Sequence, residues 1–410
     1  MLNLLKINSL FILIIFSSQI FSQEIKTEVS FQTNIQNQAS FWSKSNQQGL
    51  DLREKNLSVI NETKLKNSLI FFSLYQVNES IIIGESFLEL YFKKNSSIKI
   101  GKYYRDFSLY LNDSLSSGSM LISRNAEPMP KIGYLGSYNF HKKPYSFNYG
   151  FSNAFFKRNN FYDEAPMLHE KFIYLVRNSN QSQFGIGFVH EAIWGGSTLS
   201  GTSTGNQPST LKDFFKIIIA ADGENETGPH PNALGNHLGI WDFYYIFKKN
   251  NQEMKFYYQH FFEDTSGLRF ANKYDGLWGI ELKNHIKKNS ILFEFLSTKN
   301  QNTNPPYVDD SYYNHSVYKG GWSYKEFSLG NPFINYDNVN PSKVLHFALD
   351  ASITKNINLK IFISKVISSD SELLSKISLK NKIKNNQYIS FEAYPNKNYK
   401  NILLKYNFNI

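Results

Sequence analysis

The sequence predicts an all-β protein, a transmembrane antiparallel β-barrel of about 16–18 strands with a small helical plug or cap. Three observations predict it. Period-two segments recur along the chain, with Phe and Tyr on one face and Gly, Ser, Asn and Lys on the other. Aromatic residues reach 16% of the chain, with 35 Phe and 26 Tyr. No apolar run approaches the ~20 residues that a spanning helix needs.

The first stretch, "MLNLLKINSLFILIIFSSQIFSQEI", reads as a secretory leader. Lys6 stands in a short leading region, an apolar run follows from about Leu10 to Phe16, and small and polar residues lead to Ser22. Cleavage is expected between Ser22 and Gln23, leaving residues 1–22 as signal peptide and 23–410 as barrel. The chain holds no cysteine. That excludes a lipid anchor on cysteine, a disulfide framework and a thiolate metal site.

The chain carries 44 Lys and Arg against 34 Asp and Glu, a formal net charge of +10. The cations are scattered as single Lys residues rather than gathered in an arginine stripe, which argues against nucleic acid. A diffuse positive field suits an acidic glycan or lipopolysaccharide, and also a genome that favours Lys and Asn.

The strands follow from the alternation. "YSFNYGFSN" sets Tyr145, Phe147, Tyr149 and Phe151 against Ser146, Asn148, Gly150 and Ser152, and "KYNFNI" sets Tyr406, Phe408 and Ile410 against Lys405, Asn407 and Asn409. The pattern recurs at Phe87–Phe92, Phe172–Val176, Phe184–His190, Met254–His260, Trp278–Leu282, Ile291–Leu296, Leu345–Ile353, Leu359–Ile363 and Tyr388–Tyr394. Strict alternation marks strands with one apolar and one polar face. A soluble sandwich would favour Val, Ile and Leu over rings on its apolar face. A membrane barrel puts rings and aliphatics toward lipid and small polar groups toward a wet lumen. Only a closed barrel leaves no unpaired edge in hydrocarbon.

One segment breaks the pattern. "QPSTLKDFFKIIIAADG" opens with Pro208, has Thr210 and Asp213 at capping-box spacing, and closes near Gly223. Leu211, Phe214, Phe215 and Ile218 recur at helical spacing, predicting an amphipathic helix within about residues 208–222. In a barrel it either plugs the lumen, caps one mouth or lies in an external loop. "SGSMLISRNAEPMP" leaves the ladder at Pro128 and Pro130, with Arg124 and Asn125 just before the exit.

No catalytic arrangement has the spacing its chemistry needs. His169-Glu170 and His190-Glu191 lack the second His four residues on that a zinc protease requires, since Ile173 and Trp194 stand there. Asn314, His315 and Ser316 alternate faces on a strand and make no triad. Glu263 and Asp264, near Arg269, diverge on a strand or turn and suit a lumen ion pair better than glycosidic acid-base work. They also lack the oxygen-ligand spacing of a Ca²⁺ loop. No cofactor or metal is expected, and the chain reads as no enzyme.

Six segments, in order across about residues 85–335, resemble the Wzi family of outer-membrane capsule-assembly proteins, particularly its Bacteroidota-type members. They are "SGSMLISRNAEPMPKI", "LHEKFIYL", "GFVHEAIWGG", "NALGNHLGIWDF", "YYQHFFEDTSGLRFANKYDGLWGIEL" and "YYNHSVYKGGWSYKEFSLGNPFI". The resemblance implies an outer-membrane barrel of about eighteen strands with helical elements on its periplasmic side. It implies a lectin-like anchor holding capsular or exported polysaccharide at the cell surface without catalysis. The expected partners are that polysaccharide, outer-membrane lipid and lipopolysaccharide, and the barrel-assembly machinery during biogenesis. The alternative is a porin-like channel for oligosaccharides or small solutes.

Sugar rings stack their C–H faces on aromatic side chains, and their hydroxyls need donors and acceptors. Trp194, Tyr318, Trp322 and Tyr324 are therefore the expected stacking surfaces, with His190, Glu263, Arg269 and Lys319 as polar contacts. The competing reading places the rings in the interfacial aromatic girdle. Gly320-Gly321 is expected to mark a bend or bulge between two alternating pieces, in a barrel wall or mouth.

Overall fold

The computed structural model describes residues 24–34, 40–50, 56–92, 95–198, 205–223, 233–301, 312–367, 371–395 and 400–409. The expected leader, residues 1–22, lies outside the described residues. The first strands are β1 (Glu24–Asn34), β2 (Asn56–Leu65), β3 (Ser68–Val77), β4 (Ser80–Phe92), β5 (Ser96–Tyr103), β6 (Met129–Asn139) and β7 (Tyr145–Phe155). Next come β8 (Tyr162–Glu164), β9 (Met167–Asn178), β10 (Ser182–Trp194), β11 (Ser197–Thr198), β12 (Asn236–Lys249), β13 (Gln252–Phe262), β14 (Gly276–Asn284) and β15 (Asn289–Ser297). The last are β16 (Ser323–Tyr324), β17 (Phe327–Ser328), β18 (Lys343–Ser352), β19 (Ile357–Val366), β20 (Leu373–Lys384), β21 (Gln387–Pro395) and β22 (Lys400–Asn409).

All but β8, β11, β16 and β17 join one 18-stranded antiparallel sheet. β1 closes it on β22, from Glu28↔Asn409 to Asn34↔Leu403. Closure pairs every strand on both sides and leaves no edge exposed to hydrocarbon. The alternating segments named above fall on β4, β7, β9, β10, β13, β14, β15, β18, β19, β21 and β22.

The alternation sorts the two faces. On β7, Phe151 and Phe155 point outward and are 50% and 48% exposed, while Ser146 and Ser152 are buried on the inner side. Inward tyrosines lie across neighbouring strands where those strands carry glycine. A Cβ on Gly187 would meet the Tyr174 ring at 2.2 Å, and one on Gly185 would meet Tyr244 at 2.2 Å. Glycine at these positions lets large rings lie against the wall instead of filling the lumen.

Connections are unequal at the two ends. At one end none exceeds the stretch 140–144, whereas the other carries 104–128, 156–166, 195–235, 263–275 and 298–342. Among the described residues, the long-connection end, which also carries 35–55, supplies all the chain that enters the lumen.

The helix forms over Leu211–Ile219, and the Thr210–Asp213 capping box closes as the spacing predicts. The Thr210 N–H donates to Asp213 Oδ2 at 2.9 Å, and the Asp213 N–H donates to Thr210 Oγ1 at 3.3 Å. It is not a lumen plug. It packs on the outer face of the wall, with Ile217 buried against Ala192 and Trp194. Two short helical turns, Phe41–Lys44 and Thr265–Leu268, complete the helical content of the described residues.

Candidate functional site

The lumen is filled by residues 40–50, 104–128 and 312–342, which fold together as a plug. Their mutual contacts are mostly backbone groups met by buried side chains. Trp322 is fully buried, and its Nε1–H donates to Leu121 O at 2.9 Å. Tyr313 donates to Met120 O at 2.6 Å and accepts from the Asn331 N–H at 2.8 Å. Asn331 Nδ2 donates to Gly118 O at 2.7 Å. The Gln48 and Gly49 N–H groups donate to Arg124 O and Asn125 O. Gly321 turns at φ +57, and a Cβ there would meet Tyr313 O at 2.4 Å. The expected wall bend at Gly320-Gly321 is thus a tight turn inside the plug.

A set of inward wall residues grips this plug. Asp242 accepts from Ser108 and Tyr110, each at 2.5 Å. Glu294 accepts from Ser116 Oγ at 2.6 Å and the Ser117 N–H at 2.7 Å. Glu281 accepts from Asn112 at 2.7 Å, and Gln259 Oε1 accepts from the Met120 N–H at 3.0 Å. His346 Nε2 stands 2.8 Å from Leu115 O, and Lys99 pairs with Asp106 at 2.7 Å. Asp242 and Glu294 each stand among apolar inward neighbours, in "GIWDFYY" and "LFEFL". An isolated acid between apolar inward residues is the signal the sequence offers for such a contact.

Within the plug, Arg105 holds Asp113 at 2.6 Å and Arg124 stands 3.6 Å from it. Burial alone would raise the Asp113 carboxyl, but the two guanidinium groups outweigh it and hold it below its usual range. Asp106 goes the other way: burial raises it despite Lys99 beside it. The plug is therefore a network of paired charges and satisfied backbone groups, with its polar surface turned to the wall.

The eight residues singled out from the sequence do not converge on one site. Tyr318, Trp322 and Tyr324 belong to the plug and are no more than 2% exposed, so no ring face is open to a sugar. Trp322 is open neither to a ligand nor to the membrane girdle. Tyr318 donates to Gly195 O at 3.4 Å. Trp194 is buried on the outer wall, with its ring 5.3 Å from that of Phe214. His190 shares that outer face, 2.8 Å from Lys171 Nζ and 2.9 Å from His237 Nδ1.

Glu263 accepts from Gln301 at 2.5 Å. Arg269 lies exposed on the connection that follows β13, and Lys319 is exposed on the plug. Of the eight, these two are the charged side chains exposed at the long-connection end. Sequence reasoning missed this division because alternation says which residues share a face, while burial of a face by distant chain is a tertiary event.

The sequence profile described as Capsule assembly protein Wzi matches residues 114–337, from inside the lumenal segment 104–128 to inside the segment 312–342. The fold is similar to that of Wzi from Escherichia coli, an outer-membrane protein involved in group 1 capsule assembly and described as a carbohydrate-binding β-barrel. That likeness has a TM-score of 0.61 at 14% identity and covers 94% of this chain and 84% of that one. Pseudomonas aeruginosa OccK5 (OpdH) is more distant, with a TM-score of 0.46 at 8% identity over 94% of this chain and 96% of that one. No curated protein sequence matches the chain.

Proposed function

The chain belongs to the Wzi capsule-assembly family, and from that premise we propose that it is an outer-membrane barrel that anchors capsular or exported polysaccharide at the cell surface without catalysis. The observation that carries the proposal is the filled lumen: Asp242, Gln259, Glu281 and Glu294 spend their hydrogen bonds on the plug. A solute path lined by those groups is what a porin-like channel would need, so the filled lumen counts against that alternative. The E. coli relative's description as a carbohydrate-binding barrel supports the polymer as ligand.

Membrane barrels keep short turns on the periplasmic side and long connections outside. On that rule the plug enters from the cell surface, and the long-connection end faces the polymer. Arg269 and Lys319 are the polar contacts that this reading retains from the residues singled out in the sequence. The signal peptide at residues 1–22, the Bacteroidota-type affiliation, contact with lipopolysaccharide and delivery by the barrel-assembly machinery belong to the same proposal.

Deleting the gene in its host and measuring cell-bound polysaccharide against polymer shed into the medium tests it. Retention should fall and shedding rise, and both should be restored by the intact gene. Unchanged retention overturns the anchor reading.

A further inference from the structure

The helix Leu211–Ile219 divides its surface three ways. At ~100° per residue, Phe214 and Ile217 share one sector, and they pack on Ala192 and Trp194. Leu211, Phe215 and Ile219 form the next, at i, i+4 and i+8, and are 72%, 60% and 73% exposed. Lys212, Asp213 and Lys216 make the third. The apolar arc is wider than the wall contact needs.

The surface under the helix is the outward face of the barrel. His190, Ala192 and Trp194 alternate in step with exposed Phe184 on β10, and His237 alternates in step with exposed Tyr245 on β12. Here the outward face turns polar over three neighbouring strands, β9, β10 and β12. Lys171 Nζ lies 2.8 Å from His190 Nδ1, and His190 Nε2 lies 2.9 Å from His237 Nδ1. The helix closes over them: Lys171 Nζ donates to Ile218 O, and His169 meets the Phe214 ring edge-on at 5.3 Å. His237 Nε2 reaches Leu234 O at 2.7 Å. Left bare, these groups would stand unpaired in hydrocarbon.

Height along the wall places the helix at the membrane boundary. His190 lies four residues before the end of β10, roughly 13 Å along a strand rising ~3.3 Å per residue. Helices with one charged and one apolar face lie at about that level, sunk about 5–10 Å into the headgroup region. Below the helix the same wall continues as Ile173, Leu175, Phe184 and Tyr245, all exposed and apolar or aromatic. The stripe Leu211–Phe215–Ile219 is continuous with that lipid-facing band.

We propose that the helix Leu211–Ile219 lies in the membrane interface at the long-connection end, its Leu211–Phe215–Ile219 stripe against lipid acyl chains and its inner side sealing the Lys171–His190–His237 cluster. The helix then acts as a float that sets the height of the barrel and keeps a polar patch out of lipid. It is independent of which glycan the protein holds.

The absence of cysteine makes the test direct. Phe215→Cys is spin-labelled in the full chain, reconstituted in phosphatidylcholine–phosphatidylglycerol liposomes, and its collision rates with oxygen and with a water-soluble nickel chelate are measured. Phe184→Cys serves as the lipid reference and Lys157→Cys as the water reference, and each variant is first checked for the heat-dependent gel shift of a folded barrel. The oxygen-to-nickel ratio at 215 should exceed that at 157 at least fivefold and approach that at 184, while Lys212→Cys should read as water. Leu211→Cys and Ile219→Cys carry the same test should Phe215→Cys fail to fold. A ratio at these stripe positions equal to that at 157 overturns the proposal. So does protection from both reagents, which would mean that protein, such as a second copy, covers the stripe.

Discussion

Tyr110 donates to Asp242 across 2.5 Å, joining the lumenal segment 104–128 to the barrel wall over 132 residues of sequence. Ser108 and Tyr174 donate to the second oxygen of the same carboxylate, at 2.5 and 2.6 Å. Three donors on one fully buried acid make Asp242 the socket in which the plug is seated. The arrangement converts an inward charge, which would otherwise need solvent, into a tether.

Asp242→Ala should therefore loosen the plug before it unfolds the barrel. Hydrogen bonds to charged groups contribute about 1.5–3 kcal/mol each, and removal of the acceptor leaves Tyr110, Tyr174 and Ser108 unpaired. In planar bilayers the unaltered protein should show little steady conductance, while the variant should show frequent brief openings. A variant as quiet as the parent, with its fold intact, would mean that the seat does not hold the plug.

Trp322→Ala should be the most damaging single truncation in the plug. The side chain is fully buried and its N–H is satisfied by Leu121 O. Emptying so large a site costs about 3–5 kcal/mol. The loss should appear as a lower urea midpoint for the plug, followed by protease cleavage within residues 312–342. Glycan retention should fall in proportion to plug loss, since the ring itself has no face open to ligand. If retention fell while the midpoint stayed put, the ring would have to touch the polymer.

Acid should loosen the turn at His315. Its Nδ1 accepts the Val317 and Tyr318 N–H groups, each at 3.1 Å, which requires a neutral ring nitrogen. Burial lowers the ring to about 4, and His237 and Lys319 push in the same direction. The folded value is depressed below the ordinary ~6.5, so the stabilisation is complete above about pH 6.5 and is lost as pH falls toward about 4. At pH 5 the loss approaches about 2 kcal/mol. The unaltered plug should melt at lower temperature at pH 5 than at pH 7.5, and His315→Gln should flatten that difference. An equal pH response in both proteins would assign the effect to other groups.

How much of this was legible varies by element. Wall strands such as β7 and β22 show their alternation plainly, because one face meets lipid and the other small polar groups. β12 was not recognised by alternation, since Leu238, Ile240 and Tyr244 pack inward while Trp241, Phe243 and Tyr245 point outward, and both faces read as apolar. The plug was hidden for the opposite reason. Residues 104–128 and 312–342 have no period at all, and their burial depends on a wall built from the rest of the chain. The helix at Leu211–Ile219 was visible with its cap, but not the side of the wall it would choose. Helical spacing alone grouped Leu211, Phe214, Phe215 and Ile218 as one face, whereas the fold splits them between wall and surroundings.

Charge at the mouth gives the last prediction. Arg269 and Lys319 are exposed at the end with the long connections, whereas His190 is sealed on the outer wall and Glu263 is engaged by Gln301. Both lie among the exposed cations that an acidic polysaccharide approaching that end would meet. Arg269→Glu with Lys319→Glu moves the local charge by four units, and surface fields of this kind act over a Debye length of about 8 Å at physiological salt. The double variant should bind an acidic polymer several-fold more weakly at low salt, and the gap should close near about 0.5 M salt. His190→Ala should leave that binding unchanged while weakening the seat of the helix Leu211–Ile219. Titrating both proteins with the host's polymer over a salt series separates the two. If His190→Ala and not the charge reversal weakened binding, the polymer would have to reach the outer wall, and the mouth would lose its role.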